Sequence, residues 1–193
     1  MTILSIIRHI VKIEVGWSRG TSKLSKSIQW ADDSYFNHVF IVFTFFGVKI
    51  IVESMKHGIQ WTPFEHLERA KKAGKITEYC LYELEDLTTD QMDDIYEKAL
   101  EIFGDGYDFW QILRYLLWLK VSKIFKKAVL KRNNDKKLTC NEAIIYMLKW
   151  IVALFKDTDY SYTPELIYRL CHDGRHSKDD YPKKTKPVEV TNG

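Results

Sequence analysis

Two consecutive apolar runs constrain the fold of this chain more than any other feature of its sequence. The first run covers residues 38–46 and the second covers residues 48–53, with Gly47 between them. Both are rich in β-branched and aromatic residues, which favour strands, and a short break between two such runs is typical of an antiparallel hairpin. Because few polar residues interrupt the runs, we expect both faces of this hairpin to be buried.

The order of the other predicted elements indicates an α+β protein. Further strands are predicted at residues 59–61 and 76–84, and helices at residues 63–72, 89–103, 109–131, 140–154 and 164–170. Capping patterns at Thr62 and Thr88 mark two of the helix starts. Residues 16–27 have the composition of a loop, and residues 3–15 fit both helix and strand templates. Since the strands precede the helices without βαβ alternation, we expect an antiparallel sheet or partial barrel packed against helices.

The chain is expected to form one domain with an insert and a tail. Its 193 residues suit a single domain over residues 1–172, followed by a polar tail at residues 173–193. A long apolar segment with a basic end forms a helical insert near residues 107–137. This insert is either a core helix with a solvated basic end or a segment that lies on an anionic membrane surface. A net charge of +3 is too small to favour nucleic acid as a partner.

The cysteines and the N-terminal sequence indicate the compartment. Cys80, Cys140 and Cys171 cannot all pair within one chain, and their spacing is not that of a zinc site, so we expect free thiols, no metal and no cofactor. Residues 1–15 lack the pattern of a cleaved signal peptide, and no run is long enough to span a bilayer. We therefore expect a protein that is cytoplasmic as synthesised, which a phage origin or release by lysis could bring to a cell wall.

Cys140 is a candidate nucleophile because of its predicted place at a helix start. Thr139 and Glu142 have the spacing of a capping box in front of the apolar run 143–154, which puts Cys140 in the first helical turn. Unpaired N–H groups and the positive end of the helix dipole favour a thiolate there. In the alternative interpretation Cys140 is a buried structural cysteine.

His38 and Glu53 are the candidate base and the candidate orienting acid. His38 opens the most apolar strand, and Glu53 ends the strand that is predicted to pair with it. Residues near the two open ends of a hairpin face each other, so the imidazole and the carboxylate can meet. A carboxylate there would fix the tautomer of the ring and stabilise the imidazolium. In the alternative interpretation His38 only caps its strand and Glu53 is a solvated edge residue.

Four stretches in a fixed order carry a resemblance to a known family. They are Ser27-Ile28-Gln29-Trp30 with Ser34-Tyr35-Phe36-Asn37-His38-Val39, then Ile51-Val52-Glu53-Ser54, Leu138-Thr139-Cys140-Asn141-Glu142 and Tyr162-Thr163-Pro164-Glu165-Leu166. Together they resemble the circularly permuted, YiiX-like branch of the NlpC-like papain-fold cysteine peptidases and amidases, an arrangement that lecithin:retinol-acyltransferase-like proteins share. The resemblance implies a permuted papain-like fold with Cys140 as nucleophile, His38 as base and Glu53 as the orienting acid.

These residues lead to one main functional hypothesis and two alternatives. The main hypothesis is a thiol hydrolase that cleaves amide bonds through a thioester, by resemblance those of cell-wall peptides. The backbone N–H of Cys140 is the expected oxyanion donor, with Ser34 and Tyr35 as weaker candidates for a second donor. The first alternative is a lipid acyltransferase or thiol lipase, with a lipid amide or ester as substrate, that acts at a membrane surface through residues 109–137. The second is a non-enzymatic binding module on the same fold.

Overall fold

An open antiparallel sheet runs through the part of the protein that the structure describes. The structure is a computed structural model, and it describes residues 10–31, 34–106, 138–156 and 162–173. The strands are β1 (Ile10–Gly20), β2 (His38–Phe45), β3 (Val48–Met55), β4 (Gly58–Pro63) and β5 (Ile76–Glu83). Neighbouring strands are antiparallel and follow the order β4-β3-β2-β1-β5. The predicted antiparallel sheet is thus confirmed, and within the described residues it does not close into a barrel.

Helices cover both faces of this sheet. They are α1 (Lys23–Ala31), α2 (Glu65–Lys72), α3 (Thr89–Glu101), α4 (Cys140–Leu148) and α5 (Pro164–Asp173), with a 3₁₀ turn at Ala153–Phe155. The larger core lies on the face that α3, α4 and α5 cover, and a smaller core lies under α2 on the opposite face. None of the helices in the described ranges has the length and apolar character that crossing a bilayer requires. The α+β class expected from the sequence is confirmed.

Strand β2 contributes to both cores, which explains its continuous apolar sequence. Val39, Ile41 and Phe43 point into the larger core, whereas Phe40 and Val42 belong to the smaller one. All of these side chains are fully buried. Successive side chains of a strand point to opposite faces, so a strand that is covered on both sides shows no polar alternation. The expectation that this hairpin strand is buried on both faces is confirmed.

The predicted loop at residues 16–27 is wrong, and tertiary packing is the reason. Gly16–Gly20 form the second half of β1, and Trp17 in this half is fully buried. The loop prediction followed composition, which says nothing about a partner strand. Helix α1 was also missed, although its start carries a signal: the backbone N–H of Ser25 donates to the Ser22 hydroxyl at 3.0 Å, as at an N-cap.

The predicted helix start at Thr62 is displaced by a strand. Thr62 pairs with Ile51 in the ladder between β3 and β4, and β4 continues to Pro63 before α2 begins at Glu65. Pro63 is compatible with this position because β4 is an edge strand of the sheet. The prediction at Thr88 is confirmed, since its side chain and that of Gln91 form a capping box at the start of α3.

Several predicted segments end differently or are not described. The helix predicted at residues 140–154 ends at Leu148 and gives way to the 3₁₀ turn. Of the ambiguous residues 3–15, those from Ile10 onward form β1. The predicted insert near residues 107–137 and all but the first residue of the predicted tail lie outside the described residues.

Gly16 provides a test of the packing between β1 and β2. A Cβ atom at this position would lie 2.1 Å from the Phe40 ring. We expect Gly16→Ala to lower the free energy of unfolding by about 1–3 kcal/mol through overpacking, measured by urea denaturation. Combining it with Phe40→Leu should cost less than the sum of the two single substitutions, because the smaller side chain relieves the clash. Strict additivity would contradict this explanation.

Candidate active site

His38 and Glu53 meet at the open end of the β2–β3 hairpin. His38 is the first residue of β2, and its Nε2 atom lies 2.8 Å from Oε2 of Glu53 near the end of β3. Their side chains are 15% and 16% exposed, so both are largely removed from solvent. The register that pairs Ile41 with Val52 brings Glu53 beside Phe40, and residues two apart on a strand share a face. The carboxylate and the imidazole therefore lie on the same face.

Thr62 contacts the other carboxylate oxygen of Glu53. Its hydroxyl donates to Oε1 of Glu53 at 3.4 Å from the neighbouring strand β4. Glu53 is thereby held from two sides, by the ring of His38 and by this hydroxyl. The sequence does not predict this role, because the pattern around Thr62 fits a helix cap equally well. A strand that is extended to Pro63 pairs Thr62 with Ile51, which lies on the same face of β3 as Glu53. Such a strand would have predicted the contact between Thr62 and Glu53.

Cys140 is the first residue of α4, as the capping pattern predicted. Thr139 is the N-cap residue, and its backbone N–H donates to Oε2 of Glu142 at 2.9 Å within a capping box. The preceding residue, Leu138, accepts a hydrogen bond from the Ser54 hydroxyl at 2.5 Å through its carbonyl oxygen. Because Ser54 follows Glu53 on β3, this bond ties the start of α4 to the strand that carries the carboxylate.

Cys140 lies close enough to His38 to influence the pKa of the ring. Glu53 occupies Nε2, which leaves Nδ1 as the ring nitrogen available to Cys140. Burial by itself lowers the pKa of His38, but the hydrogen bonds to Cys140 and Glu53, together with their charges, outweigh it and raise this pKa from 6.5 to about 10. The structure thus brings together the three residues that sequence analysis singled out, although their catalytic roles stay a prediction.

The other two cysteines have different surroundings. Burial, reinforced by the negative charge of Glu78, raises the pKa of Cys80 to about 12. Burial also raises the pKa of the Cys171 thiol far above its usual range. Both side chains are free thiols, and neither setting favours a thiolate at neutral pH. Proximity to an imidazole whose pKa is raised therefore distinguishes Cys140 from Cys80 and Cys171.

Ser34 and Tyr35 use their donors elsewhere. The Ser34 hydroxyl donates to the carbonyl of Phe36 at 2.5 Å, and the Ser34 backbone N–H donates to the carbonyl of Gln29 at 3.0 Å. The Tyr35 backbone N–H donates to a carboxylate oxygen of Glu165 at 3.0 Å, and the Tyr35 hydroxyl donates to Glu78. Their assignment as oxyanion donors stays a prediction, and it would require one of these bonds to break.

The described residues do not form a cluster of metal-ligating side chains. In these ranges no group of three or more His, Cys, Asp or Glu side chains converges as a metal site requires. The Nε2 atom of His38 bonds Glu53 at 2.8 Å. A nitrogen that bonds a carboxylate is not free to bind a metal at the same time.

Comparisons with known proteins agree with this fold. No protein-family model matches the chain, and no curated protein matches it. Among solved structures, the chain is similar to the crystal structure of yiiX, described as a metalloprotein, from Escherichia coli O157:H7. The TM-score is 0.53 at 17% sequence identity, and the match covers 84% of this chain and 78% of yiiX. At this identity the likeness shows a shared fold.

The titration of His38 tests the arrangement directly. With its pKa at about 10, the ring should stay protonated well above pH 7, and imidazole NMR signals should follow this titration. Glu53→Gln removes one charge that favours the imidazolium, so the titration should move to lower pH, as it should in Cys140→Ala. Glu83→Gln, which changes a half-exposed carboxylate that binds Lys12, is the control and should leave the midpoint unchanged. Titration of wild-type His38 near pH 6.5 would contradict the contacts described above.

The same pKa predicts how stability depends on pH. A folded-state pKa of about 10, above the unfolded value of 6.5, means that protonated His38 stabilises the fold. This contribution is complete below about pH 6.5 and is lost as the pH rises through about 10. The melting temperature of the wild type should therefore fall more steeply between these pH values than that of His38→Gln. If the melting temperatures of the two proteins fall equally with pH, protonated His38 does not stabilise the fold.

Proposed function

We propose that this chain is a thiol hydrolase that cleaves amide bonds by acyl transfer, with Cys140, His38 and Glu53 as its catalytic residues. The observation that supports this proposal is a single imidazole that bonds a carboxylate through Nε2 at 2.8 Å and whose pKa is raised by that carboxylate and by a helix-start thiol. A nucleophile, a base within reach and a group that orients the base are the elements of covalent catalysis by cysteine.

The reaction would proceed in two stages. The Cys140 thiolate attacks the carbonyl carbon of the amide, and the backbone N–H of Cys140 donates to the oxygen that becomes negative. The protonated ring of His38 gives its proton to the leaving nitrogen as the carbon–nitrogen bond breaks, which leaves a thioester. The ring, now neutral, takes a proton from water, and the resulting hydroxide hydrolyses the thioester. Glu53 holds the Nε2–H and stabilises the imidazolium at each stage.

The permuted papain-like relationship and the substrate class form part of the proposal. The histidine strand precedes the cysteine helix in this chain, as in the permuted branch that the sequence resembles. By that resemblance, the amide bonds of cell-wall peptides are the proposed substrate. The similar fold of yiiX is compatible with this relationship, and the description of yiiX as a metalloprotein has no role in the proposed reaction. A lipid amide or ester is the alternative substrate, because an activated thiol attacks both kinds of carbonyl.

The catalytic residues are tested by thiol labelling and by turnover. Labelling with iodoacetamide, read by peptide mass spectrometry, should modify Cys140 much faster than Cys80 or Cys171. His38→Ala should slow the labelling of Cys140, because the imidazolium no longer favours the thiolate. Cys140→Ala should abolish turnover, whereas Glu53→Gln should lower it by roughly 10²–10⁴-fold, as expected when acid–base catalysis is lost. Cys80→Ala is the matched control and should keep full activity.

Substrate panels separate the candidate functions. Release of amines from cell-wall peptide fragments, with a thioester on Cys140 trapped by acid quenching, would support the proposal. Turnover of lipid esters alone would favour the lipase alternative. In the opposite outcome, the wild type binds peptide fragments or lipid esters tightly without turnover, and Cys140 is labelled equally in the wild type and in His38→Ala. These two results together would contradict the proposed hydrolase and favour a binding module.

A further inference from the structure

A short segment before and at the start of α5 hydrogen-bonds to three elements around the candidate active site. This segment comprises residues 162–165 and is called the α5 entry segment. Its carbonyl and carboxylate oxygens accept hydrogen bonds from the cysteine helix, from the loop in front of the histidine strand and from the central part of β1. Each of these bonds joins parts of the chain that lie far apart in sequence.

The first contact is with the residue that follows Cys140. Asn141 donates through Nδ2 to the carbonyl oxygen of Tyr162 at 2.6 Å. The other amide atom of Asn141, Oδ1, lies 2.8 Å from the hydroxyl of Thr139, the N-cap residue. The first turn of α4, which carries Cys140, is therefore fixed to the α5 entry segment by a side chain that flanks the thiol.

The second contact reaches the loop that leads into His38. The Tyr35 backbone N–H donates to Oε2 of Glu165 at 3.0 Å, and Arg169 donates to Oε1 of the same carboxylate at 3.2 Å. Glu165 is 2% exposed and Arg169 is 6% exposed. A buried carboxylate is tolerated only when charge and hydrogen bonds compensate it, so these bonds strongly constrain where the Tyr35 backbone can lie.

The third contact connects the α5 entry segment to the sheet. The indole N–H of Trp17 donates to the carbonyl of Pro164 at 3.0 Å, and Trp17 is fully buried in β1. The next residue on β1, Ser18, is paired with His38 across the ladder, and its carbonyl accepts the backbone N–H of Asn37 at 3.2 Å. The strand next to His38 is thus attached to the same segment.

We infer that the α5 entry segment positions Cys140 and His38 relative to each other, with Glu165 and Asn141 as positioning residues, an inference that rests on the proposed function. Helix α4 packs on β2 through apolar side chains, which attract each other without a preferred direction. Hydrogen bonds, in contrast, weaken steeply when their angle or length changes. The bonds to Tyr162, Pro164 and Glu165 therefore supply the directional restraint that apolar packing lacks.

A double-mutant experiment tests this inference without requiring a substrate. The measured quantity is the rate constant for labelling of Cys140 by iodoacetamide at pH 7. Glu165→Gln and Asn141→Ala are each made in the wild type and in His38→Ala. Glu14→Gln is the matched control, since Glu14 is also a buried carboxylate, 5% exposed, and is held by Lys12 and Lys49 away from these bonds.

The expected result is a loss of labelling that depends on His38. Glu165→Gln and Asn141→Ala should each slow labelling about tenfold in the wild type, because they displace the imidazole from Cys140. In His38→Ala they should change the rate less than about twofold, because that variant has no imidazole to displace. Glu14→Gln should have no effect on the rate. If Glu165→Gln does not fold, as its melting curve would reveal, the Asn141→Ala pair alone decides.

Two outcomes overturn the inference, and they can be told apart from each other. If His38→Ala slows labelling but Glu165→Gln and Asn141→Ala have no effect, or have the same effect in both backgrounds, these residues support the fold without positioning the ring. The proposed function would then still stand. If His38→Ala itself leaves labelling unchanged, the pairing of thiol and imidazole fails, and the proposed function and this inference fail together.

Discussion

Burial of β2 on both faces is the constraint on which the rest of the structure depends. The strand can exist only if β1 and β3 satisfy its backbone groups and helices cover its two faces. Phe40 illustrates how tight this packing is, because its ring takes the space of a missing side chain at Gly16. A strand enclosed in this way can place an ionisable side chain beside polar partners only near an end, which is where His38 stands.

Burial then determines what the polar groups at that end can do. Low solvent access opposes charge on His38, and the bonds to Cys140 and Glu53 reverse the balance. Cys80 and Cys171 lie in the same larger core or beside it, where burial raises their pKa values without such a partner. The raised pKa of His38 therefore comes from its bonded neighbours, whereas the raised pKa values of Cys80 and Cys171 come mainly from burial.

Sequence could predict the parts of this arrangement that depend on local patterns. The apolar runs predicted the hairpin, hairpin geometry predicted the meeting of His38 with Glu53, and capping predicted Cys140 at a helix start. These features involve neighbours along the chain or one turn between two strands. Strand β1 could not be predicted from residues 16–20, because this part of it is defined by pairing with β2 and β5 and by contacts of Trp17 with α5, all distant in sequence.

The contacts that were missed are those between polar groups distant in sequence. Tyr35 and Glu165 are 130 positions apart, and no local pattern relates a backbone N–H to a carboxylate at such a distance. Thr62 shows the same problem at shorter range, since its hydroxyl suits a helix cap and a carboxylate equally well.

Local apolar patterns could be predicted from sequence and distant polar contacts could not. The physical basis of this difference also bears on the comparison with yiiX. Apolar contacts accept many side chains of suitable size, so a fold can be shared at 17% identity. Hydrogen bonds among buried groups accept few alternatives, since an unpaired buried donor or acceptor destabilises the fold by about 1–3 kcal/mol. The apolar core therefore defines which elements pack together, and the bonds around Glu53, Asn141 and Glu165 define how closely their polar ends approach. A likeness of fold reports on the first property, whereas the chemistry proposed for Cys140 depends on the second.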